Sequence, residues 1–418
     1  MNLNVGIDVG KSKLSYCGIA TNSPVKPVVQ GEVSNSHAGA EQIKTVILKW
    51  ATEQTKGSVE QIIIGLEATS IYHYHVMMYF MDDEDLQEFN TLTVCLNPKY
   101  THKYSQMFDQ DKTDRIDAHH IAQQLMSGLF RDSLNRSEEY LALQRLTRER
   151  TNLGREMTQA KNHYLNNLYL KLNTADTTIS SSMFSKTMLE LLSGDNYSLS
   201  ALKAMTLSQL TKAIKESSKQ SMDDSERTAK EVKKSIKSSF SLNRTVADSV
   251  DLTLGIYYRQ IRMYTTQIKA LEVAIKQLAE TLPAIQCLMS IPGIGSTYAA
   301  GLVAEIGEPD RFPSEAHLAK YAGLSWHRNQ SGNYDQEEKH RVKSGDQYLR
   351  SYLVEAADSV RQRDPVFAAY YAKKYKEVNN HQHQRACILT ARKLVRVIYT
   401  LLKQNKLYRP EPAEIGIA

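Results

Sequence analysis

The chain has 418 residues, 41% of them hydrophobic, and a net charge of +6. That length suggests two or three domains, and that apolar share is enough to build cores. No apolar run is long enough to span a membrane and no charged-then-apolar leader is present, which argues against a membrane protein and predicts a soluble, intracellular one.

Taken in chain order, the first stretch alternates strands and helices. Val5 to Val9 is a short apolar strand entering Gly10, Leu14 to Ala20 its hairpin partner, and Val28 to Val33 a third strand. His37 to Thr55 has helical spacing. Gln61 to Leu66 is a β-branched run that predicts the most deeply buried strand. A helix over Ile71 to Phe80, a strand over Thr91 to Leu96 ended by Asn97-Pro98, and a helix over Asp111 to Leu129 follow. Three strands, helix, strand, helix, strand, helix is an order compatible with an α/β fold of the ribonuclease H kind.

The middle of the chain changes character. Over about 137–172 and again about 246–282, apolar residues recur at helical spacing, for example Leu141, Leu143, Leu146, Leu153, Leu165, Leu168 and Leu172. Neither stretch has an internal proline, and each carries one glycine, Gly154 and Gly255, which a long helix tolerates. Two long antiparallel helices, forming a coiled-coil arm, are expected. Between them, Asp176 to Ser241 is rich in Ser and Lys, and a small helical insertion or mobile tip is expected there.

Pro283 marks the next boundary. Ile291-Pro292-Gly293-Ile294-Gly295 precedes a helix over Ser296 to Ile306, and further helices are expected near 317–322, 347–361, 365–377 and 384–403. The expected division is therefore 1–136, a ribonuclease H-like domain; 137–282, the helical arm with its insertion at about 176–241; and 283–418, a mainly α domain.

Chemistry concentrates in the acids. Asp8 sits near the end of the first strand, and Glu67 directly follows the Ile62 to Leu66 strand. In a ribonuclease H-like sheet these strands are central neighbours, so the two carboxylates would converge, although an acid after a strand is usually a turn or cap residue. Lys112-Thr113-Asp114-Arg115-Ile116-Asp117-Ala118 places two aspartates three apart, on one face of a helix. Asp114 could be no more than a first-turn acid favoured by the helix dipole. Asp117 is harder to dismiss, because Ile116 and Ala118 flank it. Four carboxylates gathered at one point repel one another unless cations neutralise them. Oxygen ligands suit Mg²⁺, or Mn²⁺, rather than Zn²⁺. Two such ions, about 3.5–4 Å apart, can clamp the attacking and leaving oxygens of a phosphodiester.

The second half offers weaker signals. Ile-Pro-Gly-Ile-Gly is similar to the hairpin of a helix-hairpin-helix motif, in which Gly293 and Gly295 would present backbone amides to a DNA phosphate; an ordinary tight loop explains it equally well. From Arg341 to Arg409 there are 15 Lys or Arg against 5 Asp or Glu, a stripe suited to a polyanion or to a solvated helix face. Lys343 and Arg350 are the candidate DNA contacts within it. The Lys and Tyr of 370–376 could stack on nucleic acid or simply snorkel. His119-His120 and His381/His383 are read as surface or core residues ahead of metal ligands, and Cys17, Cys95, Cys287 and Cys387 as buried thiols in a reducing compartment. Ser331, beside Gly332 in the polar stretch 327–343, is by itself a turn residue, with no base visibly paired to it.

The combination resembles the DEDD transposases of the IS-one-ten insertion-sequence family. The matching pieces are Gly6-Ile7-Asp8-Val9-Gly10-Lys11, Leu66-Glu67-Ala68-Thr69, Asn97-Pro98, the Lys112 to Ala118 run, Ile291 to Gly295, Ala322-Gly323-Leu324, Ser331-Gly332 and Leu349-Arg350. The resemblance implies an N-terminal domain similar to the Holliday-junction resolvase RuvC and a serine-bearing C-terminal domain. It implies that Asp8, Glu67, Asp114 and Asp117 bind the metal and that Ser331 is the catalytic serine, linked covalently to DNA during strand exchange. It further implies double-stranded DNA as substrate, a structured non-coding bridge RNA as guide, dimers or tetramers that complete the site between subunits, and residence in the prokaryotic cytoplasm or nucleoid. The alternatives are a RuvC-like junction endonuclease in which water attacks, and a non-enzymatic nucleic-acid-binding remnant.

Overall fold

A computed structural model describes residues 1–55, 58–68, 71–108, 113–130, 138–218, 222–326 and 344–409, together with the backbone of 330–331 and 334–335. The chain divides into two compact units, Met1–Arg136 and Ser137–Ala418.

In the first unit, β1 (Asn2–Val9), β2 (Lys13–Ala20) and β3 (Val29–Ser34) form an antiparallel meander. α1 (His37–Glu53) then leads to β4 (Gln61–Glu67). Next come α2 (His73–Asp82), α3 (Glu84–Gln87), β5 (Leu92–Leu96), α4 (Pro98–Ser105) and α5 (Asp114–Met126). The sheet order is β3-β2-β1-β4-β5, with β4 parallel to both β1 and β5. This mixed five-stranded sheet is compatible with a ribonuclease H-like DEDD domain. Its central strands are covered on both faces, so Leu3, Val5, Ile7, Ile62, Ile64 and Leu66 are fully buried. Helices α1 and α2 cover one face through Ile43, Ile47 and Phe80. α5 covers the other through Ala118, Ile121, Ala122 and Leu125.

Most of these elements fall where periodicity puts them. The one-turn helix α3 and α4 are the exceptions. Asn97-Pro98 ends β5, but it also starts a helix: the Asn97 side chain caps the amide of Lys99, and Pro98 takes the first turn, where its missing N–H costs nothing.

In the second unit, α6 (Glu138–Lys171) is followed by α7 (Ala175–Thr178), α8 (Lys186–Leu192), α9 (Leu199–Ala204), α10 (Leu207–Ser217) and α11 (Met222–Ser238). α12 (Arg244–Ala279) then returns along α6. Arg150 bonds Glu272, Thr265 reaches Met157, the rings of His163 and Tyr257 stack, and Lys171 pairs with Asp251. Partner numbers that fall on one helix as they rise on the other mean antiparallel packing. Leu165, on the apolar set of α6, is 37% exposed and faces away from this pairing.

The insertion is no loose tip. Leu189, Leu192, Leu202, Leu210, Ile214 and Val232 close a core with Tyr164 and Leu168 of α6 and Leu254 and Tyr258 of α12. Gly255 shows how tightly it docks: any β-carbon there would run into the Asp195 carboxylate. Below it, Lys171 is 1% exposed and reaches both Asp251 (2.6 Å) and the Leu192 carbonyl (3.0 Å).

The rest is α13 (Pro283–Met289), α14 (Ser296–Ile306), α15 (Glu315–Tyr321), a short strand pair β6 (Gln330–Ser331) and β7 (Tyr334–Asp335), then α16 (Gln347–Val360), α17 (Pro365–Lys376) and α18 (Gln382–Gln404). These helices share a core with Leu143 of α6 and Ile275 and Ala279 of α12. No helix among the described residues is long and apolar enough to cross a membrane.

Candidate active site

The first unit builds the site from its glycines. β1 pairs with β4 in parallel, Gly6 opposite Gly65 and Ile7 opposite Leu66. The next step of that register sets Asp8 level with Glu67 on strands about 4.8 Å apart, with both side chains on the same face. The glycines identify that face. A β-carbon on Gly6 would collide with the Ala118 carbonyl, and one on Gly65 would meet Leu125 at 2.7 Å. Asp8 and Glu67, two residues further along their strands, therefore point to the α5 side of the sheet.

The direction of α5 follows from its contacts. Ala118 lies over Gly6, whereas Leu125 packs with Ile63, nearer the start of β4. The helix thus begins at the C-terminal ends of β1 and β4. Thr113 caps it by accepting from the Ile116 amide at 3.3 Å, and Asp114 and Asp117 occupy its first turn. They precede Ala118 and Ile121 on the sheet-facing side by one helical turn. Asp8, Glu67, Asp114 and Asp117 are thereby brought to one edge of the sheet. Asp114 is exposed there; the other three are half-buried.

Strand pairing adds neighbours that spacing did not single out. Ser15 of β2 stands opposite Asp8. Lys13, one alternate position away, pairs with Glu32 at 2.7 Å; its ammonium pKa is raised chiefly by Glu32 and further by the Asp114 carboxylate. Only the register of the β1–β2 hairpin reveals these residues. His119 and His120 fit the core reading. His119 Nδ1 lies 3.4 Å from the Cys17 thiol, and the His120 ring stacks on Phe108. Burial lowers the pKa of both imidazoles.

The four acids suit Mg²⁺ by donor chemistry: all are carboxylates, at an edge that water reaches. Lys112, beside them in sequence, lies outside the described residues.

The second unit carries the remaining candidates. Ile291 accepts from the Ile294 amide at 3.0 Å, with Pro292 and Gly293 (φ +100°) at the two central positions, as a type II turn requires. Gly293 is also pressed against the backbone at Ser359, where a β-carbon would come within 2.8 Å of the carbonyl oxygen. Packing thus accounts for Gly293. Gly295 is different: it is exposed, has open space around it, and starts α14 with no side-chain cap. Arg350 lies half-buried over Gly323. In the 370–376 segment, Lys393 sits 4.9 Å from the Tyr370 ring and Arg361 4.1 Å from that of Tyr371, so internal cation–π contacts occupy these aromatics. Ser331 pairs through its backbone with Tyr334, a hairpin inside what the sequence presents as one polar stretch. Its side chain, and Lys343, lie outside the described residues.

Two family models match successive stretches of the chain. A family model of IS110-type DEDD transposases matches residues 5–170, and one described as the IS116/IS110/IS902 transposase family matches 285–372. The chain belongs to this transposase family. The first match includes all four acids; the second includes Gly293, Gly295, Ser331 and Arg350. A 43.6 kDa insertion element IS110 protein of Streptomyces coelicolor is 31% identical over 153 residues, 36% of this chain. A pilin gene-inverting protein of Moraxella bovis is 32% identical over 163 residues, 37% of this chain. The matched stretches span 37% and 50% of those relatives.

Proposed function

We propose that this family member is a DNA transposase or recombinase that excises and inserts its own insertion sequence by metal-assisted strand cleavage and exchange. The observation that carries the reading is the common edge of β1, β4 and α5, where register and helix direction gather four carboxylates. The two relatives named above, an insertion-element protein and a gene-inverting protein, support recombination as the chemistry.

In this reading Asp8, Glu67, Asp114 and Asp117 hold Mg²⁺, two ions or alternatively Mn²⁺. Mg²⁺ held by these four carboxylates would supply neutralisation of phosphate charge and polarisation of the scissile P–O bond. The carboxylates orient the DNA phosphate. The Ser331 Oγ–P bond forms as the bond from phosphorus to the departing DNA oxygen breaks, and that oxygen takes up a proton. A DNA hydroxyl on the new partner strand later attacks the phosphoserine, reforming the phosphodiester and releasing serine. The bond energy is conserved, so no external energy source is required.

The domain roles follow. Residues 1–136 form the acid domain, 137–282 a coiled-coil arm for oligomerisation, and 283–418 the serine-bearing domain with Gly295 at its DNA-facing helix start. Gly293, Lys343 and Arg350 are the other candidate DNA contacts. Double-stranded DNA, a bridge RNA and further copies of the chain, in dimers or tetramers, are the partners. Denaturing electrophoresis after incubation with element-end DNA and Mg²⁺ tests the chemistry. A covalent adduct is expected, lost on Ser331→Ala and on Asp117→Asn. Free cleaved ends from Ser331→Ala at the parent rate would replace the serine with water and make the protein a junction-type endonuclease.

A further inference from the structure

Away from the acid site, three different metal-binding side chains meet where α16 ends and α18 begins. His383 and Cys387 stand one turn apart on α18. Asp358, from the last turn of α16, completes the group, and the three ligand atoms all lie within 4.8 Å of one another. The Cys387 sulfur is 3.6 Å from Asp358 Oδ1, 3.7 Å from His383 Nδ1 and 3.8 Å from His383 Nε2. Around a tetrahedral ion with metal–sulfur and metal–nitrogen bonds of about 2.3 and 2.0 Å, neighbouring ligand atoms stand about 3.5 Å apart. The cluster is therefore already near the spacing that binding demands.

The surroundings fit as well. The Tyr371 hydroxyl lies 2.7 Å from His383 Nδ1, leaving Nε2 to face an ion, which is the usual way a ligating imidazole is oriented. Arg361 holds Asp358 Oδ1 at 2.6 Å and stacks over the Tyr371 ring. That is the same oxygen that faces the Cys387 sulfur, and Gln362 Nε2 reaches Oδ2 at 3.3 Å, so the carboxylate is fixed in place beside the sulfur; the guanidinium charge offsets part of the negative charge of a thiolate and a carboxylate. Cys387 is 4% exposed, so its sulfur is sheltered, while His383 is exposed and within reach of an ion from solvent.

We propose that Asp358, His383 and Cys387, all of the second unit, form a Zn²⁺-class site that ties α16 to α18 and differs in its donors from the four-carboxylate site. Sulfur and imidazole donors select a borderline-soft ion over Mg²⁺. Binding converts the thiol to a metal thiolate and releases its proton to solvent.

Co²⁺ titration of the full chain under a phosphine reductant tests this. The Asp114→Asn/Asp117→Asn variant is used to weaken metal binding at the acid site, where all remaining donors are oxygens and give no sulfur charge-transfer band. One equivalent is expected to give a sulfur-to-cobalt charge-transfer band with tetrahedral d–d bands. Zn²⁺ should displace the ion, and excess Mg²⁺ should not. Cys387→Ser should remove the charge-transfer band. Tyr371→Phe should weaken binding by about 10- to 100-fold, as the loss of an orienting partner does. A second readout, independent of variants, is a rise in the thermal midpoint of the parent on adding Zn²⁺. Absence of the charge-transfer band, or its survival in folded Cys387→Ser, would overturn the site. So would a midpoint indifferent to Zn²⁺.

Discussion

Asp114 and Asp117 stand in the first turn of α5, where the helix dipole favours any acid and Thr113 already supplies the cap. Dipole stabilisation and metal binding make opposite predictions. If the dipole were the reason, removing one charge would cost a few tenths of a kcal/mol of stability and leave DNA chemistry intact. If the acids hold Mg²⁺, Asp117→Asn should cost little stability but slow Mg²⁺-dependent cleavage by about 100-fold or more, since several kcal/mol of charge stabilisation are at stake. Paired melting and cleavage assays separate the two. Cys17, on the same face of the sheet, gives a pH-dependent expectation. Burial pushes its thiol pKa up to about 11, which favours the protonated form in the fold. The stability this contributes is present below pH 9 and lost as the pH rises through about 11. At pH 9 the thiolate fraction is about fifty-fold below that of a thiol with a pKa of 9, and alkylation of the native protein should be slowed by at least that factor relative to the unfolded chain. At this scale the sequence was partly legible. The Asp114/Asp117 spacing declares one helix face, Asp8 sits near the end of one apolar strand and Glu67 directly follows another. Lys13 and Ser15 were not legible, because their place beside the acids comes from hairpin register, which no local pattern encodes. Ser331 rests on family resemblance alone.

Elements are placed by what they lack as much as by what they bury. Gly6 lets α5 lie directly on β1, and α5 brings Asp114 and Asp117 toward the sheet edge. Gly6→Ala meets backbone atoms of Ala118 and Ala122, which cannot rotate away. Such overpacking costs about 1–3 kcal/mol and shifts the helix. The expected outcome is a lower melting temperature together with a loss of cleavage out of proportion to the unfolded fraction. Gly65→Ala is the control: its new methyl meets the flexible tip of Leu125 and should be tolerated better on both measures. The same logic explains which elements the sequence disclosed. β1, β4 and α5 are regular, apolar on their buried faces and bounded by ordinary signals. α4 was hidden because Asn-Pro both stops a strand and starts a helix. The insertion was open between a small helical element and a mobile tip because Ser and Lys dominate its composition: α10 buries Leu210 and Ile214, but of the five buried residues of α11 only Ala229 and Val232 are apolar. Gly255 read as a tolerated defect and is instead the point at which the Asp195 carboxylate closes on α12.

Of the residues to which the proposed mechanism gives chemistry, the four acids fall in one compact unit and Ser331 in the residue range of the other. The second unit is braced by a buried carboxylate. Glu305 of α14 is fully buried and takes both ends of the Arg148 guanidinium at 2.7 and 2.8 Å, while Arg148 also reaches Asp346, the cap of α16. Asp346 donates its amide to the Tyr321 carbonyl at 2.7 Å, so the two ends of the segment that carries Ser331 are fastened together. Arg148→Met removes the cation from the buried Glu305 carboxylate, which keeps the Gln144 amide at 2.9 Å, and should destabilise this unit by about 3 kcal/mol, measured by denaturant melts. Such a scaffold can present Ser331 to an acid site on the same chain or on another copy. Mixing variants decides between these. Ser331→Ala and Asp117→Asn should each be inactive alone in strand transfer. If sites are completed between subunits, the mixed oligomer contains one kind of composite site with both an intact serine and intact acids, and activity should return to a substantial fraction of the parent level. If each chain supplies both halves of its own site, every site in the mixture carries one lesion and no mixing ratio restores transfer. The adduct sharpens the test. In an active mixture the covalently labelled chain should be the Asp117→Asn one, which retains the serine, and a size tag on either variant makes that assignment on a single gel.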